Sequence, residues 1–130
     1  MGIAEDIKRG LGDAELAFTG HSLGGGLAEA NSIATGDKAI TFNAAGLSPL
    51  TRLGGTSNAE AYIMATDPLN AYQMASPLVP TAGGNKHYLQ PRSVGAVVNG
   101  HSIDSVIEAL SRPTVGQQMI NKLRRELSIP

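Results

Sequence analysis

At 130 residues the chain is long enough for one domain with a real core. Its 42% apolar content lies in the ordinary globular range and argues against disorder, a formal net charge of -1 with no basic stripe argues against nucleic acid as a partner, and the absence of cysteine excludes disulfides and thiolate metal sites. No apolar stretch is long enough to span a bilayer, and the start, Met1-Gly2-Ile3-Ala4-Glu5-Asp6, lacks the basic opening and apolar block of a signal peptide, so a cytoplasmic chain or export without a cleaved signal is expected.

Ile3, Ile7 and Leu11 fall on one face of a first helix, which Gly10 and Gly12 end. A short, mostly apolar run over 15–19 reads as a buried strand. Leu23, Leu27, Ala30 and Ala34 then recur at helical spacing, with Gly36 as a natural stop. Residues 38–43 read as a second strand, 44–58 as loop, 60–65 as a third strand ending at Thr66-Asp67-Pro68, and 70–85 as a second irregular stretch with Pro77, Pro80, Gly83 and Gly84. A fourth strand is expected over 86–89. Asn99-Gly100-His101 opens a helix with Ile103, Val106, Ile107 and Leu110 on one side. A last helix follows Pro113, with Val115, Met119, Leu123 and Leu127 turned inward and Lys122, Arg124 and Arg125 near its C-terminus, where the helix dipole favours cations. Strands alternating with helices predict one α/β domain over 1–130 with a mainly parallel sheet. Aromatic residues are 4% of the chain and tryptophan is absent, so the interior must be built from Ala, Leu, Ile, Val and Met, which suits close packing of helix on sheet.

The chemistry-bearing stretch is Thr19-Gly20-His21-Ser22-Leu23-Gly24-Gly25. It holds the Gly-x-Ser-x-Gly pattern that sets a serine on a sharp strand-to-helix turn, and it stands between a predicted strand and a predicted helix, as that pattern requires. A serine hydroxyl is a poor nucleophile until it is held exposed and loses its proton to a base. Gly20 and Gly24 flank Ser22 where a Cβ is expected to clash. The turn also leaves the Leu23 amide at a helix N-terminus, aimed at a developing oxyanion. Gly25 and Gly26 cost helix propensity, about 1 kcal/mol each, which makes sense if the helix packs close against a neighbour. The plainer alternative is a glycine-rich turn with an incidental serine.

An activated serine needs a base, and the base an orienting acid; on folds with this elbow the chain order is serine, acid, histidine. Only His87 and His101 follow Ser22, and His21 lies inside the elbow, facing away from the hydroxyl of its neighbour. His101 follows a turn and precedes a helix, so it is the expected base; His87, in a strand-like run, is the alternative. Among Asp37, Glu60, Asp67 and Asp104, Asp67 stands at the end of an apolar strand with Pro68 forcing it extended, and functional carboxylates of open α/β sheets sit at the carboxyl ends of strands. Asp37 precedes its strand, and Asp104 reads as a first-turn helix carboxylate.

These residues resemble the lipase class 3 group of the α/β-hydrolases. The likeness rests on TGHSLGG with its small-residue helix, Thr41-Phe42-Asn43-Ala44-Ala45-Gly46, Thr66-Asp67-Pro68-Leu69 and Gly100-His101-Ser102, and it covers most of the chain from Leu16 to about Leu110. The Phe-Asn-Ala-Ala-Gly stretch is similar to bacterial and phage-associated lipase-like proteins. The resemblance implies a partial α/β-hydrolase fold and a serine hydrolase of carboxylic esters, a lipase or phospholipase. Carried over by position, Ser22 is the nucleophile, Asp67 the acid, His101 the base, and Leu23 supplies one oxyanion amide. No cofactor or metal is implied.

Full members of that group have several strands before the elbow, one of whose loops supplies a second oxyanion donor, whereas about 14 residues precede the elbow strand here. The expectation is therefore a C-terminal portion of a longer protein, or a chain completed by a homo-oligomer or a complementing chain. Leu47, Leu50, Leu53, Leu69, Met74, Leu78 and Val79 of the two long loops are expected either to line an acyl site or lid or to cover the core. The expected partner is a lipid or other ester, with room for transient contact with a membrane surface. Two further readings stand beside ester hydrolysis: a non-catalytic hydrolase-like module, and an acyltransferase using the same three residues.

Overall fold

A computed structural model describes residues 2–52, 55–111 and 115–128, the side chains of 115–117 excepted. Its elements run α1 (Gly2–Leu11), β1 (Ala17–His21), α2 (Leu23–Thr35), β2 (Lys38–Phe42), α3 (Pro49–Arg52), β3 (Ala59–Met64), α4 (Pro68–Ala75), β4 (Asn85–Leu89), α5 (Val94–Val98), α6 (Ile103–Ser111) and α7 (Val115–Glu126). Among the described residues, four strands form one sheet in the order β1-β2-β3-β4, with every neighbouring pair parallel. The predicted α/β class is what the chain adopts: a parallel sheet with helices on both faces.

The two faces are read from β3, whose side chains alternate. Ala59, Ala61 and Ile63 point one way, Ala59 packing with Ala28 of α2 and Ala39 of β2, and Ala61 and Ile63 with Ala44 and Ala82. Met64 points the other way and packs with Ala96 of α5 and with Val106 and Ala109 of α6. Alanine dominates this interior, as the scarcity of aromatics predicts. Buried Glu29 of α2 accepts from the Gly83 amide at 3.0 Å and lies 3.6 Å from the Arg52 guanidinium, joining α2 to α3 and to the segment before β4. α2 stops at Gly36, in the left-handed conformation at φ 77°, as its sequence predicts.

Several boundaries differ from the sequence reading. β1 ends two residues later, which places His21 in the strand. The stretch 70–85 is irregular only after α4, because Asp67 caps that helix through Leu69 N and Pro68 occupies its first turn. The short helices α3 and α5 have too few residues to show a period. Met119 and Leu123 of α7, and Leu127 just past its end, are exposed rather than inward. Ile3 and Ile7 of α1 are exposed too, and with Phe18 and Leu27 they line an apolar groove of about 380 Å³. Leu53, Pro113 and the Val115 side chain lie outside the described residues.

Candidate active site

Ser22 sits alone between β1 and α2, at φ 54° and ψ -120°, a conformation that costs a non-glycine residue strain. The elbow is clamped by backbone bonds: Ser22 N donates to Phe42 O at 3.0 Å, and Ser22 O accepts from Gly25 N at 3.0 Å and Ala45 N at 2.9 Å. Space forces glycine at three points of this stretch. A Cβ on Gly20 would stand 2.2 Å from Gly24 O, one on Gly25 2.7 Å from the Ala44 Cβ, and one on Gly26 2.8 Å from Ala45 O. Gly24, expected to need its missing side chain, faces open space; Gly25 and Gly26 admit the neighbouring segment.

An N-terminal serine usually turns its hydroxyl back onto the helix. Ser22 makes no such bond, and its Oγ lies 2.8 Å from His101 Nε2. The opposite ring nitrogen, Nδ1, lies 2.9 Å from Asp67 Oδ1. A carboxylate only accepts, so Nδ1 carries the proton, and Nε2 of the neutral ring is left to accept from the Ser22 hydroxyl. Asp67 is 2% exposed, and its Oδ1 is fixed a second time by the Leu69 amide at 2.9 Å. His101 is partly exposed, in the turn between α5 and α6. Leu23 begins α2, so its amide belongs to the first helical turn, whose N–H groups have no partner within the helix.

The structure thus brings Ser22, Asp67 and His101 together. The remaining candidates lie in other contacts. His87 Nε2 bonds Glu60 Oε2 at 2.5 Å and its ring stacks on Tyr62, while the hydrogen bond from His87 holds the Glu60 carboxyl below its ordinary range. Asp37 is paired with Lys8 at 3.0 Å, and hydrogen bonding to Lys8 lowers its pKa. Asp104 is exposed in the first turn of α6. Among the described residues no group of three or more His, Cys, Asp or Glu side chains is arranged to hold a metal ion.

Two residues at the site escaped the sequence reading. His21, set aside because it faces away from the Ser22 hydroxyl, has its Nε2 2.6 Å from the His101 carbonyl oxygen, with the two rings 5.1 Å apart. Asn43, 1% exposed and at φ 44°, donates from Nδ2 to Gly100 O at 2.9 Å and His101 O at 3.2 Å, and its Oδ1 accepts from Met64 N at 2.8 Å. The rule that singled out Asp67, a polar side chain at the carboxyl end of a buried parallel strand, applies equally to Asn43 after β2.

A parallel sheet carrying a serine on a strained strand-to-helix elbow, with an imidazole bonded to it and a buried carboxylate behind, is a scaffold for moving a proton off a hydroxyl. The chain belongs to the phospholipase-like family: a family model described as the Tle-like phospholipase domain matches residues 1–123. It is also 35% identical over 133 residues to the extracellular phospholipase A1 of Serratia liquefaciens, an alignment covering 83% of this chain and 41% of that protein. The chain therefore spans well under half the length of that curated relative. Among the described residues no helix is long and apolar enough to cross a membrane.

Proposed function

We propose that the chain carries the hydrolytic centre of a phospholipase, a serine ester hydrolase akin to the class 3 lipases, acting on an acyl ester of a phospholipid. The observation that carries this reading is the unbroken contact from Ser22 Oγ through the His101 ring to Asp67, at 2.8 and 2.9 Å, within a phospholipase-like family. As Ser22 Oγ bonds to the ester carbonyl carbon, its proton passes to His101 Nε2. The Asp67 carboxylate keeps the ring oriented and offsets its new charge. The oxyanion is met by the Leu23 amide; one such donor is worth about 10²- to 10³-fold in rate. His101 returns the proton to the departing lysolipid alcohol as the C–O bond breaks. Water then gives His101 a proton as its oxygen bonds to the acyl carbon, and as the bond from that carbon to Ser22 Oγ breaks His101 returns the proton to Oγ, which releases the fatty acid and a free Ser22. No cofactor or metal takes part.

Exposed apolar side chains support a lipid substrate. Leu23, beside the nucleophile, is 72% exposed, and Leu50, Met74 and Leu78 also stand clear of the core they were alternatively expected to cover. β1 ends the described sheet, an open edge that supports a second reading in which a further segment, a second copy or a complementing chain completes the enzyme at a transient membrane contact. Incubating phosphatidylcholine–detergent micelles with the chain and with Ser22→Ala tests the central reading. Fatty acid release that disappears in the variant is expected; equal release by both contradicts it. Including glycerol separates hydrolysis from acyl transfer.

A further inference from the structure

We propose that His21 and Asn43 are positioning residues: together they hold the backbone carbonyl of His101, so that a histidine on a turn presents one ring to Ser22 and Asp67 at once. The inference rests on the functional reading above and names how that site is kept assembled.

His101 lies in the turn between α5 and α6, and nothing in a turn by itself fixes the direction of its Cα–Cβ bond. The carbonyl attached to that Cα is where the fixing occurs. It receives His21 Nε2 at 2.6 Å and Asn43 Nδ2 at 3.2 Å, and the preceding carbonyl of Gly100 receives the same amide at 2.9 Å. A carbonyl only accepts, so His21 Nε2 carries a proton. The other end of Asn43 faces the acid: its Oδ1 accepts from Met64 N at 2.8 Å, and Met64 O accepts from Asp67 N at 2.9 Å. A second route thus joins His101 to Asp67 through Asn43 and the end of β3, beside the direct bond between ring and carboxylate. The nucleophile is held by the same segment, because Phe42 O and Ala45 N, on either side of Asn43, bond the backbone of Ser22, and His21 directly precedes Ser22. Only a side chain that both donates and accepts satisfies the contacts of Asn43, and asparagine also tolerates its positive φ better than most residues. The segment 42–45 is accordingly a junction to which base, acid and nucleophile are all tied.

Three variants of the full chain test this. His21→Phe keeps a ring and removes the donor. His21→Gln keeps an N–H able to reach the same carbonyl. Asn43→Asp keeps the acceptor for Met64 N and sets an acceptor against the carbonyls of Gly100 and His101. On a soluble short-chain ester, His21→Phe and Asn43→Asp are expected to lose on the order of 10- to 100-fold in kcat with KM nearly unchanged, as misplacement rather than lost binding requires. His21→Gln is expected to stay close to the parent. In proteins with isotope-labelled histidine, the His101 Nδ1–H resonance is expected to shift or broaden in the two disruptive variants and to hold in His21→Gln. Parent-like kcat and an unmoved His101 resonance in folded His21→Phe overturn the proposal, as does equal loss in His21→Phe and His21→Gln. If Asn43→Asp does not fold, the two His21 variants decide. Full activity in Ser22→Ala defeats the hydrolase reading instead, and the His101 resonance then decides positioning alone.

Discussion

Gly100 is the position where one methyl group should uncouple His101 from Asp67. It is buried, and a Cβ built there would lie 2.3 Å from Thr66 Oγ1, 2.4 Å from Thr66 C and 2.5 Å from Thr66 O. The hydroxyl can rotate away only by giving up its bond to Ala96 O at 2.8 Å, and the carbonyl group is backbone and leads directly into Asp67. Ordinary contact begins at 3.4 Å, so the His101 turn and the end of β3 must part by 3.4 less 2.4, about 1 Å. Taken up along the bond from His101 Nδ1 to Asp67 Oδ1, now 2.9 Å, this gives about 3.9 Å, beyond a hydrogen bond. Overpacking of this kind costs about 1–3 kcal/mol, and misplacement by about 1 Å can cost about 10²-fold in rate. Gly100→Ala should therefore fold, melt several degrees lower, and lose about two orders of magnitude in kcat on a soluble ester. A folded Gly100→Ala with the kcat of the parent would mean that the contact between His101 and Asp67 is either undisturbed by the methyl group or irrelevant to the reaction.

Asp67→Asn should separate stability from chemistry: the asparagine Oδ1 still accepts from Leu69 N and from the His101 ring N–H, so the melting temperature stays near the parent, while loss of the negative charge that offsets the imidazolium lowers kcat by on the order of 10- to 100-fold, measured by steady-state kinetics beside a thermal melt. Gly24→Ala meets no atom within 4 Å and replaces glycine in a helix, so calorimetry should show stabilisation of up to about 1 kcal/mol. Asp37 and Glu60 have lowered folded-state pKa values, held down chiefly by hydrogen bonds from Lys8 and His87 respectively. A depressed carboxyl stabilises the fold above its unfolded pKa and loses that contribution as pH falls through its folded value. Melting temperature should accordingly fall between about pH 5 and pH 2, less steeply in Lys8→Ala, and an unchanged slope in that variant would count against the pairing with Asp37.

The elbow could be read from the sequence because much of it is local: Gly20 is constrained by Gly24 and Gly25, and the strand before Ser22 and the helix after it each show their own pattern, whereas the bonds of Phe42 O and Ala45 N with the Ser22 backbone come from β2 and the segment after it. β3 was legible for the same reason, since Ala59, Ala61 and Ile63 alternate with Glu60 and Tyr62. Asp67 and His101 followed from chain order and from the rule that polar groups at strand ends face the site. α4 was hidden by its own start signal. Asp67-Pro68 stops a strand, but an aspartate followed by proline also caps a helix, and the sequence shows both meanings at once. His21 and Asn43 were hidden because their contacts span 80 and 57 residues. Asn43 reaches the His101 turn only because β2 lies between β1 and β3, and strand order is a property of the sheet rather than of any window of residues. The apolar stripe of α7 illustrates the opposite failure: Met119, Leu123 and Leu127 share a face by period, yet period does not name what that face meets.

Whether this chain arms Ser22 is read from the reaction of the folded chain with a fluorophosphonate, with the adduct located by mass spectrometry. One adduct is expected, on Ser22, lost in His101→Ala and slowed in Asp67→Asn. A folded chain that takes up no label, or is labelled on another residue, or is labelled on Ser22 equally well without His101, does not arm Ser22 through His101.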